Sequence, residues 1–358
     1  DIHKKTLVQL LIKNVKKFDV MRDIFFTKKN DIYEGVSMFE LINYSLCIKK
    51  YLMELGLRKS STISILSENR IEWVITDLAC MFSNNISVPV YPSLSAESIK
   101  YILNDCKAEV VFVSTALQLD KILSIKSECP DLKYIISFNN INNQVNKEHI
   151  ITFSEIFCEK KTLSKNELLE KLEMISDTVQ EDDLLTIIYT SGTTGVPKGV
   201  MLTHKNIYSN LVTFPDVLHT GENDVFLSYL PYSHIFERTA GYYLAFFYGS
   251  VTYYAQSIDT IASQMTEVKP TVIITVPRLL DKIYNKVMKT AVEMEEGFKK
   301  KIYNWGLEVA RTHWNNKKSV KWTLADKLVF TKIRQKTGGR LRLFVSGGGA
   351  LNKSIGEF

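Results

Sequence analysis

TISILSENRIEWVITDLACMFSNNISVPVYPSLSAESIKYILNDCKAEVVFVS, residues 62–114, carries the pattern that decides the fold. Three short apolar runs, TISILS, SVPVY and VVFVS, alternate with helical patterns at Ile71–Phe82 and SIKYILNDC, which predicts a parallel sheet flanked by helices. Downstream, a further helix leads to YIISF, Asn139–Lys147 reads as a polar loop, and Lys160–Asp183 mixes charge with weak helical periodicity before the strand LLTIIY. A second series follows: VFLSYL, an apolar helix near Leu244, VTYY, a helix over Ser257–Val268, TVIIT and LRLFVS. The expected fold class is α/β, two doubly wound, mostly parallel lobes, with ligands where strands end in loops. The expected boundaries are a helical segment at 1–55 packing on the second lobe, a first lobe at 56–212, and a second at 213–358 containing a basic helical insert at 281–337.

At 358 residues the chain exceeds what one small core organises, and its 45% hydrophobic content supports a folded protein. The excess of 45 Lys and Arg over 39 Asp and Glu is mild, so no nucleic-acid partner is expected from it. It is, however, concentrated: Lys282–Arg342 holds 16 basic and 5 acidic residues. Five widely spaced cysteines without a CxxC pair argue against a disulfide framework or a zinc site and fit a reducing compartment. Thr239–Ile258 runs 20 residues without formal charge, but its five tyrosines and the breaks at Gly241 and Gly249 favour a buried helix and strand over a membrane span. No secretory signal or transit peptide opens the chain, although a start at Asp1 leaves room for a removed upstream segment.

The strongest chemical signal is YTSGTTGVPKGV, Tyr189–Val200, directly after an apolar strand. Gly192, Gly195 and Gly199 permit close backbone approach, Thr190, Ser191, Thr193 and Thr194 offer hydroxyl donors, and Lys198 adds a positive charge. Such a loop can wrap a polyphosphate. It is not a Walker A loop, because Pro197 stands where that spacing needs its second glycine. A polar hairpin is the bland alternative for a Gly/Ser/Thr cluster, and the full string outweighs it.

The string resembles the signature of the adenylate-forming superfamily, which includes acyl-CoA synthetases, peptide-synthetase adenylation domains and luciferases. The resemblance implies that Ser191, Gly192, Thr193, Thr194, Gly195 and Lys198 contact the β and γ phosphates of ATP, with Thr190 a ligand for Mg2+. LPYSHIFERTAG, Leu230–Gly241, is similar to the long-chain acyl-CoA synthetase form of the next motif, which implies that His234 sits beside the acyl and α-phosphate groups as the catalytic histidine. Glu237 and Arg238 read equally well as a helix-start ion pair or as active-site groups. GGRLRLFVSGGGALN, Gly338–Asn352, resembles the loop that borders the adenylate, which would assign Gly347, Gly348, Gly349 and Ala350 to that border. It has Gly349 and Ala350 where the commoner SGGAPL pattern has alanine and proline.

The stretch from Pro277 to Arg311 resembles the helical insert of eukaryotic long-chain synthetases. Ile283, Val287, Ala291, Met294, Phe298, Ile302, Trp305 and Val309 trace one helical face, with lysines on the others. A core-packed helix with a solvated outer face is the plain reading; contact with anionic lipid headgroups or with the phosphates of CoA is the sharper one. The resemblance covers about Ser37–Phe358 and implies a two-step reaction: a long-chain fatty carboxylate attacks ATP to give acyl-adenylate and pyrophosphate, then the CoA thiol displaces AMP. Tyr232, Phe236, Tyr242, Tyr243 and Phe246 are candidate linings for an acyl tunnel, with plain core as the alternative. The family's downstream glutamate, ribose-binding aspartate and small C-terminal domain with its lysine are not found. The chain therefore reads as a truncated N-terminal portion, expected to have little thioesterification activity alone. A non-catalytic nucleotide or fatty-acyl binding module and a fatty acyl-AMP ligase stay open as alternatives. The expected location is the cytoplasm or the cytoplasmic side of an intracellular membrane such as the endoplasmic reticulum.

Overall fold

The computed structural model describes residues 4–140, 150–157, 163–191, 196–313 and 319–357. Its strands in chain order are β1 (Asp23–Lys29), β2 (Ile32–Ser37), β3 (Thr62–Leu66), β4 (Ile86–Val90), β5 (Val110–Val113), β6 (Tyr134–Ser137), β7 (Ile150–Thr152), β8 (Leu184–Ser191), β9 (Pro197–Thr203), β10 (Val225–Ser228), β11 (Val251–Tyr254), β12 (Val272–Thr275) and β13 (Leu343–Ser346). The chain divides into two compact units, Asp1–Asn223 with Pro231–Tyr254, and Asp224–Leu230 with Ala255–Phe358.

The first unit holds a seven-stranded sheet in the order β7-β6-β5-β3-β4-β8-β9. All its pairs are parallel except the β8/β9 hairpin. β4 lies on one side of β3 and β5 on the other, so the winding reverses at β3, as the doubly wound expectation requires. The helix Ile71–Ser83 between β3 and β4 is apolar around nearly its whole circumference, and every residue from Trp73 to Phe82 is buried. A helix of that kind must be covered on all sides. One of its buried residues is Asp77, whose carboxylate needs a partner inside the protein.

The same unit contains β2-β1-β11, in which β1 and β2 are antiparallel and β1 and β11 parallel. The expectation of a helical 1–55 is corrected here, because a hairpin separates the helices Leu7–Lys17 and Met38–Glu54. Asn30 and Asp31 make its turn with φ of 48° and 63°, the left-handed conformation that Asn and Asp tolerate best. In the second unit β10, β12 and β13 are parallel.

The long helical face expected from Ile283 to Val309 is broken. Helices Pro277–Glu293 and Phe298–His313 are separate. Met294 turns extended with ψ of 136°, and Gly297 takes φ of 152°. Glu293, Glu295 and Glu296 crowd the carboxyl end of the first helix, where its dipole disfavours acids, and Gly297 then lets the chain turn. Val287, Ala291 and Val309 are buried as expected, whereas Phe298 is 79% exposed. Thr239–Ile258 folds as a π-helix, a short helix and β11, and no described helix is long and apolar enough to cross a membrane.

Candidate functional site

β8 and β9 form one antiparallel ribbon whose register pairs Thr190 with Lys198 and Ser191 with Pro197. Gly192, Thr193, Thr194 and Gly195 lie outside the described residues; the flanking strands are described. Gly199 packs flat against the neighbouring strand: a Cβ there would meet Ile187 Cγ2 at 2.8 Å and the Tyr189 ring at 3.2 Å. The Tyr189 hydroxyl donates to Asp105, and the Tyr101 hydroxyl to the Pro197 carbonyl at 3.2 Å, so both strands are tied to the helix Ala96–Asp105. Thr190 and Lys198 are exposed at the mouth of the hairpin.

The His234 segment is fastened above the carboxyl ends of the central strands. The Tyr232 amide donates to Asn69 Oδ1 just beyond β3 (2.8 Å), and the Ser233 hydroxyl donates to the carbonyl of Val90, the last residue of β4 (3.2 Å). β4 pairs with β8, the first strand of the β8/β9 ribbon. His234 is exposed, and its Nδ1 accepts the Phe236 amide at 3.1 Å. A neutral ring in that contact carries its proton on Nε2.

Hairpin and His234 segment line an open cavity of about 420 Å³. Its floor is one face of the ribbon: Ile188 and Thr190 on β8, Val200 and Leu202 on β9. The helix His204–Leu211 supplies a side wall through Asn206, Ile207 and Asn210, and Phe214 closes beside it. Ile235, Phe236, Thr239 and Ala240 form the roof. The lining is mostly apolar, and the volume is in the range of small-molecule sites.

The roof residues belong to or lead into the π-helix Glu237–Tyr243, whose opposite side faces the core. Of the five aromatic residues offered as tunnel lining, Phe236 lines this cavity. Tyr232, Tyr242, Tyr243 and Phe246 do not; they are fully buried in an aromatic cluster with Phe25 and Trp73. Within the π-helix, Thr239 and Ala240 face the cavity, and Tyr242 and Tyr243 face the aromatic core.

The Glu237–Arg238 ion-pair reading is corrected too. Arg238 is fully buried and pairs with Asp77 on the helix Ile71–Ser83. It also donates to Ser87 Oγ on β4 (2.7 Å), Thr186 Oγ1 on β8 (2.7 Å) and the Tyr243 hydroxyl (3.1 Å), which in turn donates to Asp77 Oδ2 (2.7 Å). Burial acts to lower the pKa of the guanidinium, but the Asp77 carboxylate and Tyr243 outweigh it and raise the pKa above its ordinary value. Burial and Asp77 push the Tyr243 phenol well up despite the nearby guanidinium, so it stays a neutral donor. Glu237 is instead buried against Gly241, where a Cβ would meet its Oε1 at 2.5 Å. Asp77 left no chemical signal in the sequence, since a single acid in an apolar helix names no partner.

The scan for families matches residues 23–358 to the AMP-binding enzyme model. The chain belongs to the AMP-binding enzyme family. Among curated relatives of this AMP-binding chain, fatty acyl-CoA synthetase B of Dictyostelium discoideum is 32% identical over 97% of the chain and 52% of the relative. Long-chain-fatty-acid–CoA ligase 5 of Rattus norvegicus is 30% identical over 99% and 52% respectively. The chain thus spans about half the length of these relatives. A solved long-chain-fatty-acid–CoA ligase of Archaeoglobus fulgidus shares the fold, with TM-score 0.67, 17% identity, and coverage of 98% of this chain and 58% of that one.

The third glycine motif of the AMP-binding chain lies in the second unit. β13 ends at Ser346, the Gly347 amide donates to the Thr275 carbonyl at 3.1 Å, and Gly348 takes φ of 72°, which disfavours any side chain there. Gly349 and Ala350 are exposed beyond it. Among the described residues no group of three or more His, Cys, Asp or Glu could hold a metal ion.

Proposed function

We propose that the chain binds ATP and a long-chain fatty acid for activation of the carboxylate, first to acyl-adenylate with release of pyrophosphate and then to acyl-CoA. The observation that carries this is the apolar cavity whose floor is the phosphate hairpin itself and whose roof leads from His234. An acyl tail lying on Ile188, Val200 and Leu202 has its carboxyl end at Thr190 and Lys198, where the triphosphate would be gripped. The names of the relatives support fatty-acid activation.

In this reading the hairpin hydroxyls, amides and Lys198 hold the β and γ phosphates, and His234 orients the carboxylate toward the α-phosphorus. Gly347–Ala350 border the adenylate. The donor set suits Mg2+ held mainly by phosphate oxygens, with the exposed Thr190 hydroxyl as the protein ligand; such an ion neutralises phosphate charge when bound. Burial of each methylene contributes about 0.8 kcal/mol, so affinity should rise roughly fourfold per carbon until the cavity is full. Calorimetric titration of the 358-residue chain with saturated fatty acids of graded length checks this, and affinity independent of length would sink the acyl assignment. Pyrophosphate exchange with and without CoA separates a CoA ligase from an acyl-AMP ligase and from a module that only binds.

The basic stretch Lys282–Arg342 supports a peripheral contact with anionic lipid at the cytoplasmic face of an intracellular membrane. Flotation with phosphatidylserine vesicles is expected to weaken as salt rises; binding indifferent to both anionic lipid and salt would overturn that contact.

A further inference from the structure

We infer that the buried Arg238–Asp77 pair is a positioning device that holds the roof of the cavity at a set distance from its floor and so sets the acyl length accepted. The inference rests on the acyl reading of the cavity and deepens it.

Three observations converge. Arg238 and Asp77 are both fully buried, and the guanidinium bonds reach three elements besides its own: the helix Ile71–Ser83, β4 and β8. A buried pair of this kind is a weak source of net stability compared with well-packed apolar side chains, whereas its directional bonds can specify one register. Four hydrogen bonds from one guanidinium, to Asp77, Ser87, Thr186 and Tyr243, tie the roof to one register.

The bond to β8 falls at a telling place. Thr186, Ile188 and Thr190 share one face of β8, and Thr186 stands opposite Leu202, the floor residue farthest from the hairpin turn. Arg238 thus grips the ribbon at the end of the cavity remote from the phosphate loop, where the methyl end of a chain would stop. The next two residues, Thr239 and Ala240, are roof. Finally, the roof is a seven-residue π-helix, a rare element met mostly as single turns inside α-helices, and a run of it calls for fixing from its surroundings. Arg238 supplies that fixing from inside, bonding both Tyr243 at its far end and the sheet below.

Arg238 does not line the cavity, so it acts through the roof. The test compares three proteins: wild type, Arg238→Lys, and the paired variant Arg238→Met with Asp77→Leu, which removes both charges and leaves neither one buried alone. Displacement of a fluorescent fatty acid by saturated acids of eight to twenty carbons, as a general series, gives each length profile, and thermal unfolding confirms the fold. The paired variant is expected to stay folded while the ratio of affinities for the best acid and one four carbons longer changes at least tenfold, with the lysine variant between. A purely structural pair would lower affinity at all lengths alike, and a folded variant with the wild-type ratio overturns the inference. Should the paired variant not fold, the lysine variant decides on the same ratio. Wild-type protein that binds no fatty acid overturns the acyl reading itself, and the inference with it.

Discussion

His204 stands at the start of the helix that walls the cavity, buried, with Nδ1 accepting the Leu7 amide at 3.4 Å. Burial pushes its pKa down to about 4, against a small opposing pull from Asp183. Between that value and the ordinary one near 6.5 the unfolded chain binds a proton that the folded chain does not, so stability falls as pH drops through this window. Urea unfolding at pH 7 and pH 5 should differ by about 2 kcal/mol from this group, and His204→Asn, whose side-chain oxygen can still accept from Leu7, should flatten that part of the slope. At Arg238 the expected penalty is larger. Replacing it alone with methionine strands the Asp77 carboxylate and should cost about 3–5 kcal/mol in urea unfolding, while replacing both partners by apolar residues should cost much less. At this scale the chemistry-bearing residues were readable as types, yet the partner of Arg238 was not: Glu237 is its neighbour in sequence, and Asp77 lies 161 residues away.

The π-helix Glu237–Tyr243 shows how one element serves two environments. Thr239 and Ala240 look into the cavity, and Tyr242 and Tyr243 into the aromatic core. Ala240→Phe fills existing space on the roof. It should lower affinity for a sixteen-carbon acid at least tenfold, about 1.4 kcal/mol, and shift the thermal midpoint little, a split that calorimetry and a melting curve together check. The apolar run around Leu244 announced a buried helix, but periodicity cannot announce a π turn, which depends on what lies on both sides. The same limit applies to Ile283–Val309, where a continuous stripe of apolar residues hides a break set by acidic crowding and Gly297. The hairpin of β1 and β2 is different: its Asn30-Asp31 turn is a local signal.

As a whole molecule the chain has two compact units, each with its own internal contacts. Compact units of one chain need not unfold together. Trp73 is the one tryptophan in the sequence of the first unit, and Trp305, Trp314 and Trp322 fall in the second. Urea titration of Trp73→Phe should therefore follow the second unit, and of a variant keeping Trp73 alone the first, with midpoints that do not coincide. Coincident midpoints would show a single cooperative unit.

By itself the sequence determined the alternation of strands and helices, the parallel sheet, the glycine-rich string at Tyr189–Val200 and the family, because each of these is written in local periodicity or in a contiguous string; that the string is spanned by a hairpin was not. Only the tertiary structure decided that hairpin and His234 segment are floor and roof of one cavity, that most of the expected tunnel aromatics are core, and that Arg238 is tied to Asp77. A cavity is the space left between elements, and a buried charge takes whichever partner packing brings to it. Neither is a property of any single stretch of chain.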